Sequence, residues 1–98
     1  MQIKQRSYAG TLESSDVLVE VLPSETNSLE IELTSSVEKQ FDHLILQTVN
    51  NTLHELGVES ATIVVNDKGA LDCVIRARVQ AAVMRASGGA EAIDWGAL

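Results

Sequence analysis

Residues 10–16 read GTLESSD: two adjacent serines, Ser14 and Ser15, stand between Glu13 and Asp16, just ahead of the apolar run VLVEVL. Small polar residues make turns, and an exposed hydroxyl on a turn is also a handle to which a group can be joined. A serine that attacks by itself needs a neighbouring base, whereas flanking carboxylates suppress its ionisation. The stretch therefore reads as a hairpin tip or as an acceptor served by another enzyme's base, not as a self-activated nucleophile.

The remaining reactive residues make weaker cases. His43 and His54 both fall on the polar side of a helical stretch, but a rise of 1.5 Å per residue puts them about 16 Å apart, too far to share a metal. No metal site is expected. Cys73, the only cysteine, stands one turn into a second helix, where the positive dipole end lowers a thiol's pKa, yet a lone cysteine is more often a small packed side chain. The segment VVNDKGALD has one glycine and one lysine but not the spacing whose amides wrap phosphate; helix capping by Asp67 explains it more simply. Arg76, Arg78 and Arg85 could grip carboxylates or an anionic cofactor, and ordinary solvated or packing roles are the simpler expectation. No catalytic residue emerges.

These side chains must be placed by a small chain. Ninety-eight residues, 45% hydrophobic and 21% charged, suit one folded domain with an aliphatic core, since only Tyr8, Phe41 and Trp95 are aromatic. A net charge of -7 repels phosphate backbones and anionic bilayers, and so few aromatics offer bases no stacking platform. Neither nucleic acid nor a membrane is an expected partner. The single cysteine rules out an internal disulfide, MQIKQRS lacks the apolar segment of a signal peptide, and no run approaches a membrane span, so a cytoplasmic location is expected.

Residues 7–12 and 16–22 read as paired strands with 13–16 as the hairpin tip; Val17, Val19 and Val21 share one face, and Pro23 ends the second strand. Leu29, Ile31 and Leu33 alternate with Glu30, Glu32 and Thr34 in a third strand with a wet, acidic face. Ser35 or Ser36 offers a cap, with Glu38 in the first turn of a helix over 37–56 that places Val37, Phe41, Leu44, Ile45, Val49, Thr52, Leu53 and Leu56 on one face. Gly57 stops it, 61–65 is a fourth strand, and Asn66-Asp67 caps a second helix over about 68–87. That helix buries Leu71, Ile75, Val79, Ala82, Val83 and Ala86 and ends at Gly88-Gly89, leaving residues of about 88–98, Trp95 among them, as a loose tail. The order β-β-β-α-β-α makes an α+β two-layer sandwich, a sheet of about four strands with two helices on one face. Strand order is not legible from this pattern.

Taken together, GTLESSD at 10–16, SSVEKQF at 35–41 and VVNDKGALDCVIRARVQAA at 64–82 closely resemble the acyl carrier (gamma) subunit of citrate lyase, over nearly the whole chain. The resemblance implies that Ser14, the first serine after Glu13, carries covalently a 2'-(5''-phosphoribosyl)-3'-dephospho-CoA group joined through a phosphodiester. It implies an arm whose thiol presents acetyl and citryl thioesters during cleavage of citrate to oxaloacetate and acetate. The implied partners are the alpha (acyl transferase) and beta (lyase) subunits and a prosthetic-group transferase, with no catalysis by this chain. The carrier subunit of malonate decarboxylase bears the same kind of group; DKGALDC and RARVQAA favour citrate lyase. A phosphopantetheine carrier of the all-helical type fails, because Asn27-Ser28-Leu29-Glu30 opens an alternating strand. From a different class, an acidic scaffold subunit without a prosthetic group would use the acidic sheet face to bind a basic partner.

Overall fold

A computed structural model describes residues 2–35 and 41–88. Strands β1 (Ser7–Gly10), β2 (Val17–Leu22), β3 (Leu29–Ser35) and β4 (Ala61–Asp67) form one sheet in the order β1-β2-β4-β3, and helices α1 (Asp42–Glu55) and α2 (Asp72–Ala86) complete the chain. The α+β class and the order β-β-β-α-β-α are as the sequence leads one to expect. β1 and β2 are a hairpin, β2 and β4 are antiparallel, and β3 and β4 are parallel. The parallel pair needs a crossover, and α1 is that connection.

The alternation in β2 and β4 decides which face is dry. Val17, Val19 and Val21 are buried, as are Ala61, Ile63 and Val65, and the register sets Val19 against Val65 and Val21 against Ile63. Against this face lie Ile45, Val49, Thr52 and Leu53 of α1 and Ile75, Val79, Ala82, Val83 and Ala86 of α2. The opposite face carries Glu20, Glu30, Glu32 and Thr62, exposed or half-buried. Burying aliphatic side chains from water is the main stabilising term, about 25 cal/mol per Å² of apolar surface. Ile63→Val, which removes one methylene from the centre of the core, is expected to cost about 1 kcal/mol; urea unfolding should show a lower midpoint at an unchanged slope.

Several boundaries differ from the sequence expectation, each for a local reason. β1 stops at Gly10 instead of residue 12, because Gly10 has φ +95° and turns the chain out of the strand. β4 runs on to Asp67 because that residue pairs with Val17 on one side and Ser35 on the other. Consequently α2 starts at Asp72 and not near residue 68. Asp67 does not cap α2: its Oδ1 accepts from the Ala70 N–H at 3.0 Å, and the residue before the helix is Leu71, extended at ψ 154°. The start of α1 is Asp42, preceded by Phe41 with no side-chain cap; the expected cap at Ser36 and the first-turn Glu38 lie outside the described residues, as do Val37 and Trp95. Gly57 does end α1, at φ +72°, donating to the His54 carbonyl at 3.0 Å.

Candidate functional site

The hairpin tip is held from three sides. Ser15 donates its N–H to the Lys68 carbonyl at 2.8 Å, and the Lys68 N–H donates to the Asp16 carbonyl at 2.9 Å. The β2–β4 ladder thus continues past the formal strand ends and stitches the tip to the β4–α2 connection. Within the tip, Asp16 N–H donates to the Glu13 carbonyl at 3.1 Å and Glu13 N–H to Thr11 Oγ1 at 3.2 Å. Ser15 adopts φ 67°, which lets the chain reverse at this point. Ser14 is exposed, and its hydroxyl makes no hydrogen bond with the described residues. An oxygen on a pinned turn with no contact to lose is a suitable place to join a bulky group.

Asp16 is the electrostatic centre of the tip. Its carboxylate accepts from Thr11 Oγ1 at 2.7 Å, from the Val17 N–H at 2.7 Å, and from Arg78 Nε and a terminal guanidinium nitrogen at 3.2 and 3.3 Å. The Thr11 hydroxyl first, then the Val17 amide, then Arg78 lower its pKa to about 2 against a partial desolvation that opposes them. A carboxylate so committed is a poor base, so Ser14 has no activating partner in Asp16. Because the folded pKa lies below the unfolded one of 3.8, the stabilisation is complete above about pH 4 and is lost as pH falls towards 2. Asp16→Asn, which cannot titrate, should be less stable than the parent at pH 6, and the gap should close between pH 4 and 2. Denaturant midpoints across that range check this; a gap that stays constant would sink it.

The other candidates fall into structural or unremarkable places. Arg78, for which a solvated or packing role was the simpler expectation, is the partner of Asp16. Arg76 pairs with Glu55 between the two helices, and Arg85 donates to the Tyr8 carbonyl at 2.7 Å. Cys73 is exposed in the first turn of α2 instead of packed, since the helix begins only one residue earlier. His43 and His54 are both exposed. Among the described residues no group of three or more His, Cys, Asp or Glu is placed to hold a metal ion, and no helix is long and apolar enough to cross a membrane. Gly10 and Thr11 went unnoticed in the sequence, and Lys68 was weighed only within a phosphate loop, because what they do depends on how the hairpin closes and on its neighbour β4.

Beside the tip, a cleft of about 380 Å³ opens between the first turns of α1 and α2 and is lined by Phe41, Leu44, Ile45, Leu71 and Ile75. Phe41, Leu44 and Leu71 were expected in the core and are instead 44%, 55% and 71% exposed. Helical spacing tells which residues share a face, not whether another element covers that face along its whole length.

The acyl carrier family model described as malonate decarboxylase delta subunit (MdcD) matches residues 4–86. A citrate lyase acyl carrier protein of Pectobacterium atrosepticum is 58% identical over 95 residues, 97% of each chain. The chain belongs to the citrate lyase acyl carrier family. A further relative of that name, from Clostridium perfringens, is 55% identical over 98% of this chain and 94% of its own length, and one from Escherichia fergusonii is 52% identical over the full length of both. Among solved structures, a chain of a Pseudomonas malonate decarboxylase hetero-tetramer in complex with malonate superposes with a TM-score of 0.68, covering 87% of this chain and 91% of that one at 23% identity. At that identity the likeness is one of fold.

Proposed function

We propose that this chain is the acyl carrier subunit of a citrate lyase and that Ser14 bears its covalent prosthetic group, the phosphoribosyl dephospho-coenzyme A named above. The observation that carries the reading is the match to citrate lyase acyl carrier proteins at 50–58% identity over nearly the whole length. The local geometry supports it. Ser14 and Ser15 both present exposed hydroxyls at the tip, and Ser15 is in addition tied into the ladder through its backbone amide.

When attached, the group supplies a terminal thiol that holds an acyl unit as a thioester. The chain's own residues fix the base of the arm: Gly10 and Ser15 reverse the backbone, Asp16 and Arg78 clamp the turn to α2, and Lys68 joins it to β4. A fixed base and a long arm give a high effective concentration at successive partner sites. Asp16 is committed to Thr11, Val17 and Arg78 and is not a free base, so in this reading the transferase that installs the group provides one. In this reading the partners are the alpha and beta subunits of the lyase, and the setting is cytoplasmic, where a lone thiol such as Cys73 stays reduced. A malonate decarboxylase carrier is the second reading, favoured by the family model and the structural neighbour; the citrate lyase relatives outweigh them in identity and coverage.

The test is the intact mass of the chain co-produced with its own modifying enzymes, followed by fragmentation. A mass gain equal to the nucleotide arm, placed on Ser14, is expected. An unmodified chain under those conditions would move the assignment to a scaffold subunit, and an adduct on Ser15 would shift the site by one residue.

A further inference from the structure

We propose that the end of the molecule around Ser14 is a docking surface on which Leu12, Phe41, Leu44 and Leu71 receive an apolar projection, ringed by basic side chains, of the proteins that act on Ser14. This rests on the reading of Ser14 as the attachment site. Among the described residues five large hydrophobic side chains are exposed: Tyr8, Leu12, Phe41, Leu44 and Leu71. The topology gathers four of them at one end. Leu12 is on the hairpin tip, Phe41 and Leu44 are at the start of α1 just after β3, and Leu71 is on the connection from β4 to α2. β3 and β4 are parallel, so both helices begin at the same end of the sheet, and Val17 beside Asp67 puts the hairpin tip there as well. Tyr8 is elsewhere, on β1 with Arg6 over its ring.

Apolar side chains scattered singly over a surface need no explanation, whereas a cluster marks an interaction site. This one has a definite relation to Ser14, because the Ser15 N–H to Lys68 carbonyl bond joins the turn to the connection that forms the lip of the cleft. Any protein that reaches the Ser14 hydroxyl must cover this end, and gripping the lip would hold Ser14 at a set distance from it. Charge selects the partner: among the described residues, Glu13, Asp16, Asp42 and Asp72 stand at this end against Lys68 and the Arg78 that Asp16 already holds, so the complementary rim is basic. The same charges disfavour the chain's own arm as occupant, since its phosphodiester at Ser14 and its diphosphate are anionic.

The decisive experiment uses the full unmodified chain and the transferase that modifies it, following mass gain on Ser14 as a function of chain concentration. The L44Q/L71S double variant removes two exposed side chains, and serine at position 71 is a good residue to precede α2, so the fold is retained. KM for the chain should rise tenfold or more, with the saturated rate within about twofold of the parent. Tyr8→Gln should leave both unchanged. An unchanged KM in the double variant overturns the proposal. Calorimetric binding of the chain to the same transferase separates the two readings: if the parent binds but gains no mass, Ser14 as the site has failed, while weaker binding by the double variant still upholds the docking surface. Two other results overturn it by naming a different occupant. One is methyl resonances of Leu44 and Leu71 that shift on loading the arm while KM stays put; the other is a concentration-dependent dimer of the parent that the double variant loses.

Discussion

Ser14→Ala should abolish attachment of the arm, and with it citrate cleavage by the assembled complex, while leaving the fold and the assembly intact. The side chain is exposed and makes no hydrogen bond with the described residues, so deleting one oxygen removes no folding contact. Surface changes of this kind stay within about 0.5 kcal/mol. The loss of activity should nonetheless be complete, because no neighbouring residue substitutes. Ser15, the adjacent hydroxyl, is held at φ 67° with its amide committed to Lys68, and a transferase that positions one oxygen for in-line attack does not tolerate a shift of one residue. Intact mass, melting temperature and co-purification of partner subunits distinguish the outcomes. Activity in a Ser14→Ala complex would remove the carrier assignment and favour the scaffold reading. Loss of assembly along with activity would show that the tip has a structural role its contacts do not reveal.

Gly10→Ala is expected to be the most damaging of the substitutions for stability. Gly10 has φ +95°, a conformation that L-residues adopt only with strain, and a Cβ built there would lie 1.8 Å from the Val17 carbonyl oxygen and 2.9 Å from its carbon. Both atoms are backbone, in the first residue of β2, so neither can swing aside as a side chain would. Positive-φ strain of about 1–3 kcal/mol and overpacking of similar size give a cost of about 3–5 kcal/mol. For a domain of this size that corresponds to a fall in Tm of about 15–30 °C, a large share of a typical total stability. Gly88→Ala is the control: its φ of +76° is similar, but the nearest atom to a new Cβ is Lys4 Cδ at 3.8 Å. It should cost only about 1 kcal/mol. Equal Tm values for the two variants would mean that the approach of Gly10 to Val17 relaxes freely. Because the same residue turns the chain into the serine tip, Gly10→Ala should also slow modification of Ser14.

Element identity was legible because it rests on local patterns. The alternation of Val17, Val19 and Val21 with Leu18, Glu20 and Leu22 predicted a one-sided strand, and that alternation is the burial pattern found. The serine pair was legible as an exposed tip because turn chemistry depends on only a few consecutive residues. The helical spacing of Ile75, Val79, Ala82, Val83 and Ala86 named the buried side of α2 correctly. It failed at Leu71 because periodicity was extended past the true helix start. Cys73 was misplaced for a related reason: a start near residue 68 would have put it deeper in the helix.

By itself the sequence determined the order of elements, the aliphatic core face and the serines at the tip, since each follows from spacing or composition within a short window. Together with the family motifs it makes Ser14 the proposed attachment site. Only the tertiary structure decided that β4 lies between β2 and β3, that Arg78 reaches Asp16 across 62 positions, that Gly10 lies against the Val17 carbonyl, and that Phe41, Leu44 and Leu71 share an open cleft. These depend on which elements become neighbours once the sheet has formed. Residues far apart in the chain acquire their partners through packing, and no local pattern carries that information.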